Sequence, residues 1–374
     1  MKPLARTDTS MLGTWLWTVD GKAMVALAAL IILGFIMVLA ASPPVADRLG
    51  LSSFHFVLRQ SLMLPLAIAI IGGVSLLEPH VIRRVAAVGF VAGLVLLVVI
   101  LAVGTETNGA KRWISILGFS LQPSELVKPC LAVVTAWMLA QWRRVPGFPG
   151  AQISVGLVGL VAALLMMQPD LGQTLVVLAV WFGQLFIAGL PLALTVFGVV
   201  GACAVVVGAY FTLDHVTARV DRFLDPGTGD NFQVERSIEA ISTGGLFGTG
   251  PGDGEVKNVL PDAHTDFVFA VMNEEFGALV GFVMIGLVAF LVVRGFMRLR
   301  ASSDLFVILA GAGLLAQFGV QSLIHMASAL QLIPAKGMTL PFVSYGGSSL
   351  ISMALCMGMV LTFTRSTMHR EVKA

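Results

Sequence analysis

Long apolar runs recur along the whole chain. Each is close to the about 18–20 residues that an α-helix needs to cross a ~30 Å hydrocarbon core. The first runs from Met24 to Ala41, and similar runs follow almost to the C-terminus. Each such run is therefore read as a membrane-spanning helix. Hydrophobic residues make up 57% of the 374 positions and charged residues only 12%, against about 25% charged in soluble domains. The mean hydropathy is +0.92. A soluble fold is excluded.

The expected fold is an all-α integral membrane protein with about ten transmembrane helices. Their approximate ranges are 23–42, 56–77, 85–104, 121–140, 152–168, 172–190, 192–213, 267–293, 305–328 and 349–365. The whole chain, 1–374, reads as one polytopic domain, with a long external segment, 213–266, between the seventh and eighth spans. "VLAAS" resembles a signal-peptidase site, but the run before it is longer than a 7–15-residue signal core, so it is read as an uncleaved span.

An even number of spans puts both termini on one side. If that side is the cytoplasm, it holds 13 of the 23 Lys and Arg residues, a bias in the usual sense. The opposite side is unusually rich in cations, and its segments are the long polar ones. They are "TETNGAKRWISILGFSLQPSELVKP", the stretch 213–265, and "LQLIPAKGMTLPFVSYGGSSL". Chemistry is therefore expected on the external side. Within the long segment, "QVERSIEAIS" has helical apolar spacing, and "TGGLFGTGPGDG" reads as a glycine-rich turn lacking the Lys-Ser/Thr of a phosphate loop.

Cys130, Cys203 and Cys356 lie in apolar runs and suggest neither a disulfide framework nor a metal site. The six histidines show no metal-ligand spacing, and a net charge of +2 without a basic cluster argues against nucleic acid.

Ionisable groups inside spans cost about 2.5–3.5 kcal/mol at a helix centre, so the few present stand out. Arg59 sits one turn into the second span, where it either snorkels to headgroups or faces a cavity. Glu125 and Lys128 are three apart at the start of the fourth span and are placed to pair. With Arg59, Lys111 and Arg112, Lys128 is also placed to form a cationic pocket at headgroup depth. Trp113 reads as an interfacial anchor. Asp170 in "MQPDLGQ" reads as a turn residue and helix cap, and Glu274 and Glu275 in "NEEFG" as links between helices. Asp266 enters a span between His264-Thr265 and a Phe-Val-Phe run, as a base at the membrane lip or as a helix cap.

Taken in order, "NGAKRWISILGFSLQPSELVK", "QPDLGQ", "SIEAISTGGLFGTGPG", "LPDAHTDFVFAVMNEEFG" and "PAKGMTLPFVSYGGSS" resemble the SEDS family (shape, elongation, division and sporulation) over essentially all spans. "AKGMTLP" is closer to its division branch than to its elongation branch. Asn273 stands where the resemblance leads one to expect Ala, and "ASPPVA" where it leads one to expect a Ser-rich turn.

The resemblance implies a peptidoglycan glycosyltransferase that polymerises lipid II, a disaccharide-pentapeptide on undecaprenyl pyrophosphate. It implies an inner-membrane protein of the septum with cytoplasmic termini and a periplasmic active site. It also implies a class B penicillin-binding protein, an FtsI-like transpeptidase, as partner within the division machinery. Asp266 matches the family's proposed catalytic Asp, and Arg59, Arg112, Gln122, Glu125 and Lys128 match pocket positions. Lys111, His264, Thr265 and Lys336 complete the candidate substrate-binding set. No cofactor is required, although a divalent cation could bridge the pyrophosphate. The alternatives are a lipid II flippase and a non-catalytic scaffold. A transporter more often shows internal repeats and midplane polar sites, and this chain shows neither.

Overall fold

The structure, a computed structural model, describes residues 10–107, 110–116, 119–212, 216–217, 220–221, 223, 232–334 and 337–366. A short helix α1 (Met11–Thr18) precedes α2 (Gly21–Arg48), α3 (His55–Leu76) and α4 (Pro79–Val103). Strands β1 (Thr105–Thr107), β2 (Ala110–Ile116) and β3 (Phe119–Leu121) follow. Then come α5 (Pro123–Arg144), α6 (Gly150–Met167), α7 (Leu171–Ile187), α8 (Leu192–Thr212), α9 (Phe232–Gly244), α10 (Val268–Leu299), α11 (Leu305–Ala329) and α12 (Gly347–Phe363).

Helices stand where the sequence places spans. Among the described residues, α2, α3, α4, α6, α10 and α11 are long and apolar enough to cross a membrane, and α7 and α12 are shorter apolar helices. Apolar side chains also cover the outside. On α4, Val85, Val88, Val91, Val95 and Val98 are exposed, a surface suited to lipid and costly in water.

The polarity of α5 explains its place. With Glu125, Lys128, Arg143 and Arg144 it is the least apolar of the large helices, yet it is buried on nearly every side. It packs against α4, α6, α7, α11 and α12, and α11 packs in turn on α7, α10 and α12. The two form the centre of the bundle, and the more apolar helices shield them. α12 lies between α3 and α5.

Three local features depart from expectation. First, α2 continues through Pro43 and Pro44 to Arg48, where a turn after residue 42 is expected. Proline removes a donor and usually kinks a helix. Here the extended end is tied down: Arg48 Nη2 donates to the Leu260 carbonyl at 2.7 Å. Second, the three strands form a small antiparallel sheet in the order β1-β2-β3. Its register pairs Glu106 with Lys111 and Ile114 with Leu121.

Third, α10 is interrupted. Gly277 has φ 78° and ψ 171°, a backbone state only glycine adopts easily. A break exposes amides and carbonyls that lipid cannot satisfy. The glycine-rich turn supplies their partners. Thr249 N and Gly250 N donate to the Glu274 and Glu275 carbonyls at 2.9 and 3.1 Å. Ala278 N and Leu279 N donate to the Gly245 and Leu246 carbonyls at 2.9 and 3.3 Å. These turn amides are therefore occupied and do not cradle a phosphate. Close approach needs glycine on the other side too, since a Cβ on Gly244 would lie 1.8 Å from the Asn273 carbonyl oxygen.

Glu274 and Glu275 serve this same joint and do not bridge helices of the bundle. The Glu274 carboxylate accepts from Val256 N at 2.6 Å and Lys257 N at 3.0 Å. Glu275 pairs with the Lys257 ammonium. Their partners lie in the loop at 249–258, which apolar periodicity does not reveal.

Gly277→Ala should be severely destabilising, by on the order of 3 kcal/mol or more, because it combines backbone strain with a clash. The new Cβ would stand 2.3 Å from the Leu246 carbonyl oxygen. Gly72→Ala, where nothing lies within 4 Å, is the control. Thermal melting of both variants in detergent checks this; equal midpoints would contradict the described break.

Candidate functional site

Loops from distant parts of the chain meet at one site: Arg48 reaches the Leu260 carbonyl, Arg112 of β2 reaches the turn at 168–169, Gln122 reaches Ser348, and Tyr345 reaches His264. Asp266 lies in the turn 261–267, before the first residue of α10. The capping position is Phe267, and no side chain caps the helix. Asp266 does not take the N-cap role that the sequence leaves open to it.

The Asp266 turn is held from two directions. Its backbone folds on itself: Thr265 N and Asp266 N both donate to the Asp262 carbonyl at 3.0 Å. The loop 337–346 clasps it from outside. Ser344 Oγ donates to the Thr265 carbonyl at 2.6 Å, and Tyr345 N donates to the His264 carbonyl at 2.9 Å. Asp266 itself is half-buried. A Cβ on Gly337 would lie only 3.4 Å from Asp266 Oδ2, so the glycine leaves the carboxylate room on that side.

An aromatic cluster packs behind this turn. His264 stacks at 4.5 Å on Phe56 of α3 and at 5.3 Å on Tyr345. Arg59 lies one turn along α3 from Phe56, and its guanidinium charge opposes the burial that raises the Tyr345 pKa. The structure thus brings Arg59, His264, Thr265 and Asp266 together. Burial, with a contribution from Arg48, lowers the His264 pKa to about 4.

The rest of the expected cationic pocket is divided. Lys128 is 3% exposed, and three oxygens surround its ammonium. They are Glu125 Oε1 at 3.0 Å, Gln173 Oε1 at 2.5 Å and Gln321 Oε1 at 2.8 Å. An ammonium has three protons, so in this arrangement none is left for a phosphate. Lys128 and Glu125 form an internal ion pair rather than an open anion site. Gln173 Nε2 also donates to Glu125 Oε1 at 2.6 Å, and Ser352 Oγ to the Glu125 carbonyl at 2.6 Å.

Arg112, on β2, is engaged with the turn before α7. Its Nε and Nη2 donate to the Gln168 and Pro169 carbonyls at 3.0 and 2.5 Å, and Asp170 Oδ2 lies 3.9 Å from Nε. Asp170 caps α7 by accepting from Gln173 N at 3.2 Å. Burial is the largest influence on its carboxyl and raises its pKa against the pull of Arg112. Gln122 N donates to Ser348 Oγ at 3.0 Å, which fixes the start of α5. Lys111 is half-buried on β2. Lys336 lies outside the described residues. Among the described residues no three His, Cys, Asp or Glu are placed to hold a metal ion.

Sequence reasoning passed over Gln173, Gln321, Ser344 and Ser352. Gln321 did leave a signal. Gln317, Gln321 and His325 recur every four residues in an otherwise apolar span, which puts three costly polar groups on one face.

Two predictions follow from this geometry. Lys128→Met leaves a buried carboxylate short of its counter-charge and should cost about 3–5 kcal/mol. Adding Glu125→Gln should recover most of that in a thermal melt; a double variant as unstable as the single one would contradict the pairing. His264 is neutral when folded, with a pKa of about 4 against an ordinary 6.5. Its contribution is present in full above pH 6.5 and is lost as pH falls toward 4, by on the order of 3 kcal/mol. Melting midpoints should fall across that window less steeply in His264→Phe than in the parent; parallel curves would contradict the burial argument.

The chain as a whole has counterparts among known proteins. Residues 22–369 match the family model described as "Cell cycle protein", FTSW_RODA_SPOVE. The chain is similar to the probable peptidoglycan glycosyltransferase FtsW of Caulobacter vibrioides, at 42% identity over 363 residues, 96% of this chain and 93% of that protein. It is similar to a chain of a peptidoglycan synthase complex that coordinates polymerization and crosslinking, with a TM-score of 0.76, 31% identity, and coverage of 92% of this chain and 97% of that one. The rod shape determining protein RodA of Thermus thermophilus matches with a TM-score of 0.68 at 30% identity, covering 92% of this chain and 96% of RodA.

Proposed function

We propose, because the chain belongs to the FtsW/RodA/SpoVE family of cell cycle proteins, that it is a peptidoglycan glycosyltransferase that polymerises lipid II during division, with Asp266 as general base. The single observation carrying the site assignment is the clasped turn: Asp266 is half-buried beside Gly337, on a turn whose Thr265 and His264 carbonyls accept from Ser344 and Tyr345. A residue held this firmly can meet a substrate in one geometry, as base catalysis requires.

In the proposed reaction the 4-hydroxyl of an acceptor GlcNAc attacks C1 of a donor MurNAc. Asp266 takes the hydroxyl proton as the bond to carbon forms. The donor's pyrophosphate leaves with the electrons of the broken C–O bond, and the anomeric centre inverts. A single displacement needs one carboxylate as base and no covalent sugar intermediate. Charge grows on the departing pyrophosphate, and a guanidinium suits it. Arg59 is the pocket cation we assign to this role, because it stands in the same aromatic cluster as the Asp266 turn. Glu125 and Lys128 support the site from below and do not touch phosphate in this reading. Arg112 holds the β2 side of the mouth against the 168–170 turn.

The chain works beside a crosslinking enzyme, in keeping with the synthase complex it resembles; a class B penicillin-binding protein of the division machinery is the proposed partner. The proposed placement is the bacterial inner membrane, with ten crossings, cytoplasmic termini and the loop-bearing end facing the periplasm. Charge bias and the lipid-linked substrate support that orientation.

Asp266→Asn keeps size and hydrogen bonding but removes the base. Polymerisation by the variant co-purified with its partner should fall by about 100-fold or more, while folding and lipid II binding persist. Glycan chains of normal yield and length from a well-folded variant would contradict the assignment.

A further inference from the structure

Gln321 and His325 are four residues apart on α11 and therefore share a face. Both are buried, at 0% and 1% exposure. Both reach the loop that clasps the Asp266 turn. Gln321 Nε2 donates to the Thr339 carbonyl at 3.2 Å. His325 Nδ1 lies 2.6 Å from the Met338 carbonyl. A carbonyl only accepts, so Nδ1 carries the proton and fixes the tautomer. One helix face thus grips two successive carbonyls of the loop.

The loop continues from that grip in both directions. Gly337, the residue before Met338, is the one beside Asp266 Oδ2. After Thr339, Leu340 N donates to Ser344 Oγ at 2.8 Å, and Ser344 Oγ donates to the Thr265 carbonyl. Behind the grip, Gln321 Oε1 accepts from Lys128. The loop is therefore tied, through one side chain, to the ion pair at the centre of the bundle. His325 Nε2 has no partner among the described residues. An apolar residue would avoid that cost, so the Nδ1 contact is the feature that explains a histidine here.

We propose that Gln321 and His325 are positioning residues for Asp266, forming a two-carbonyl clamp that seats the 337–345 loop against the Asp266 turn. The proposal rests on the reading of Asp266 as the base. Neither residue touches substrate; both act through the loop. Loosening the clamp lets the carboxylate drift from the acceptor hydroxyl, which lowers turnover more than substrate binding.

The test uses the chain co-purified with its transpeptidase partner and measures kcat and KM for lipid II polymerisation. His325→Asn keeps a donor at the same δ position, and His325→Leu fills space without one. His325→Leu should lower kcat about 3- to 10-fold, with KM within about two-fold of the parent. His325→Asn should recover most of that loss. Gln321→Glu keeps an oxygen for Lys128 but removes the donor to Thr339, so it covers the case in which His325→Leu does not fold. It should lower kcat about 3- to 10-fold while the melting midpoint stays near the parent value. The clamp is overturned if Asn is as impaired as Leu, if either Leu or Glu turns over like the parent, or if the losses appear in KM. A parent pair that makes no polymer overturns the glycosyltransferase reading and the clamp together. Polymer from the parent with unaltered variants overturns the clamp alone.

Discussion

A polar group inside hydrocarbon must find its partner within the protein, because there is no water to fall back on. That constraint organises this chain. The ammonium of Lys128 is the clearest instance, since each of its three protons meets an oxygen from a different helix, α5, α7 or α11. The most polar large helix is consequently enclosed on nearly every side, and the valine-rich face of α4 lies outside. The break at Gly277 obeys the same rule in backbone form. Its freed amides and carbonyls are matched by those of residues 245–250.

These partnerships also connect the site. Arg112 and Asp170 hold the start of α7, and Gln173 joins that helix to Glu125 and Lys128. Gln321 carries the connection from Lys128 to the Thr339 carbonyl, and the loop beyond carries it to the Asp266 turn. A carboxylate in the proposed role of base at a lipid surface faces mobile substrates on long lipid tails. Holding it through a fixed polar chain, rather than on a free loop, limits the geometries it can take. In the proposed reaction Arg59 at the mouth takes the pyrophosphate, because the ammonium of Lys128 already meets three oxygens in the interior.

The spans are legible in the sequence because length and apolarity alone define them. The pairing of Glu125 with Lys128 is legible because a helix places i and i+3 side by side. The third and fourth members of that cluster are not, since Gln173 and Gln321 come together only when α5, α7 and α11 pack. The continuation of α2 through Pro43-Pro44 is hidden because local rules favour a stop there. The sheet is hidden because β1 and β3 have three residues each and carry no alternation. The break in α10 is hidden because one glycine in an apolar run resembles any tolerated helical glycine. Asp266 is conspicuous as a carboxylate entering a span, but the clasp that fixes it depends on Ser344 and Tyr345, far along the chain.

The most direct measurement is the glycan product of the parent chain itself, purified with a transpeptidase partner whose crosslinking serine is replaced, and given lipid II alone. The partner then supplies no crosslinks, and any polymer must come from glycosyl transfer. The account predicts a ladder of uncrosslinked glycan strands with release of undecaprenyl pyrophosphate. Intact lipid II recovered from a well-folded pair, or lipid II moved across the bilayer without polymer, would contradict it.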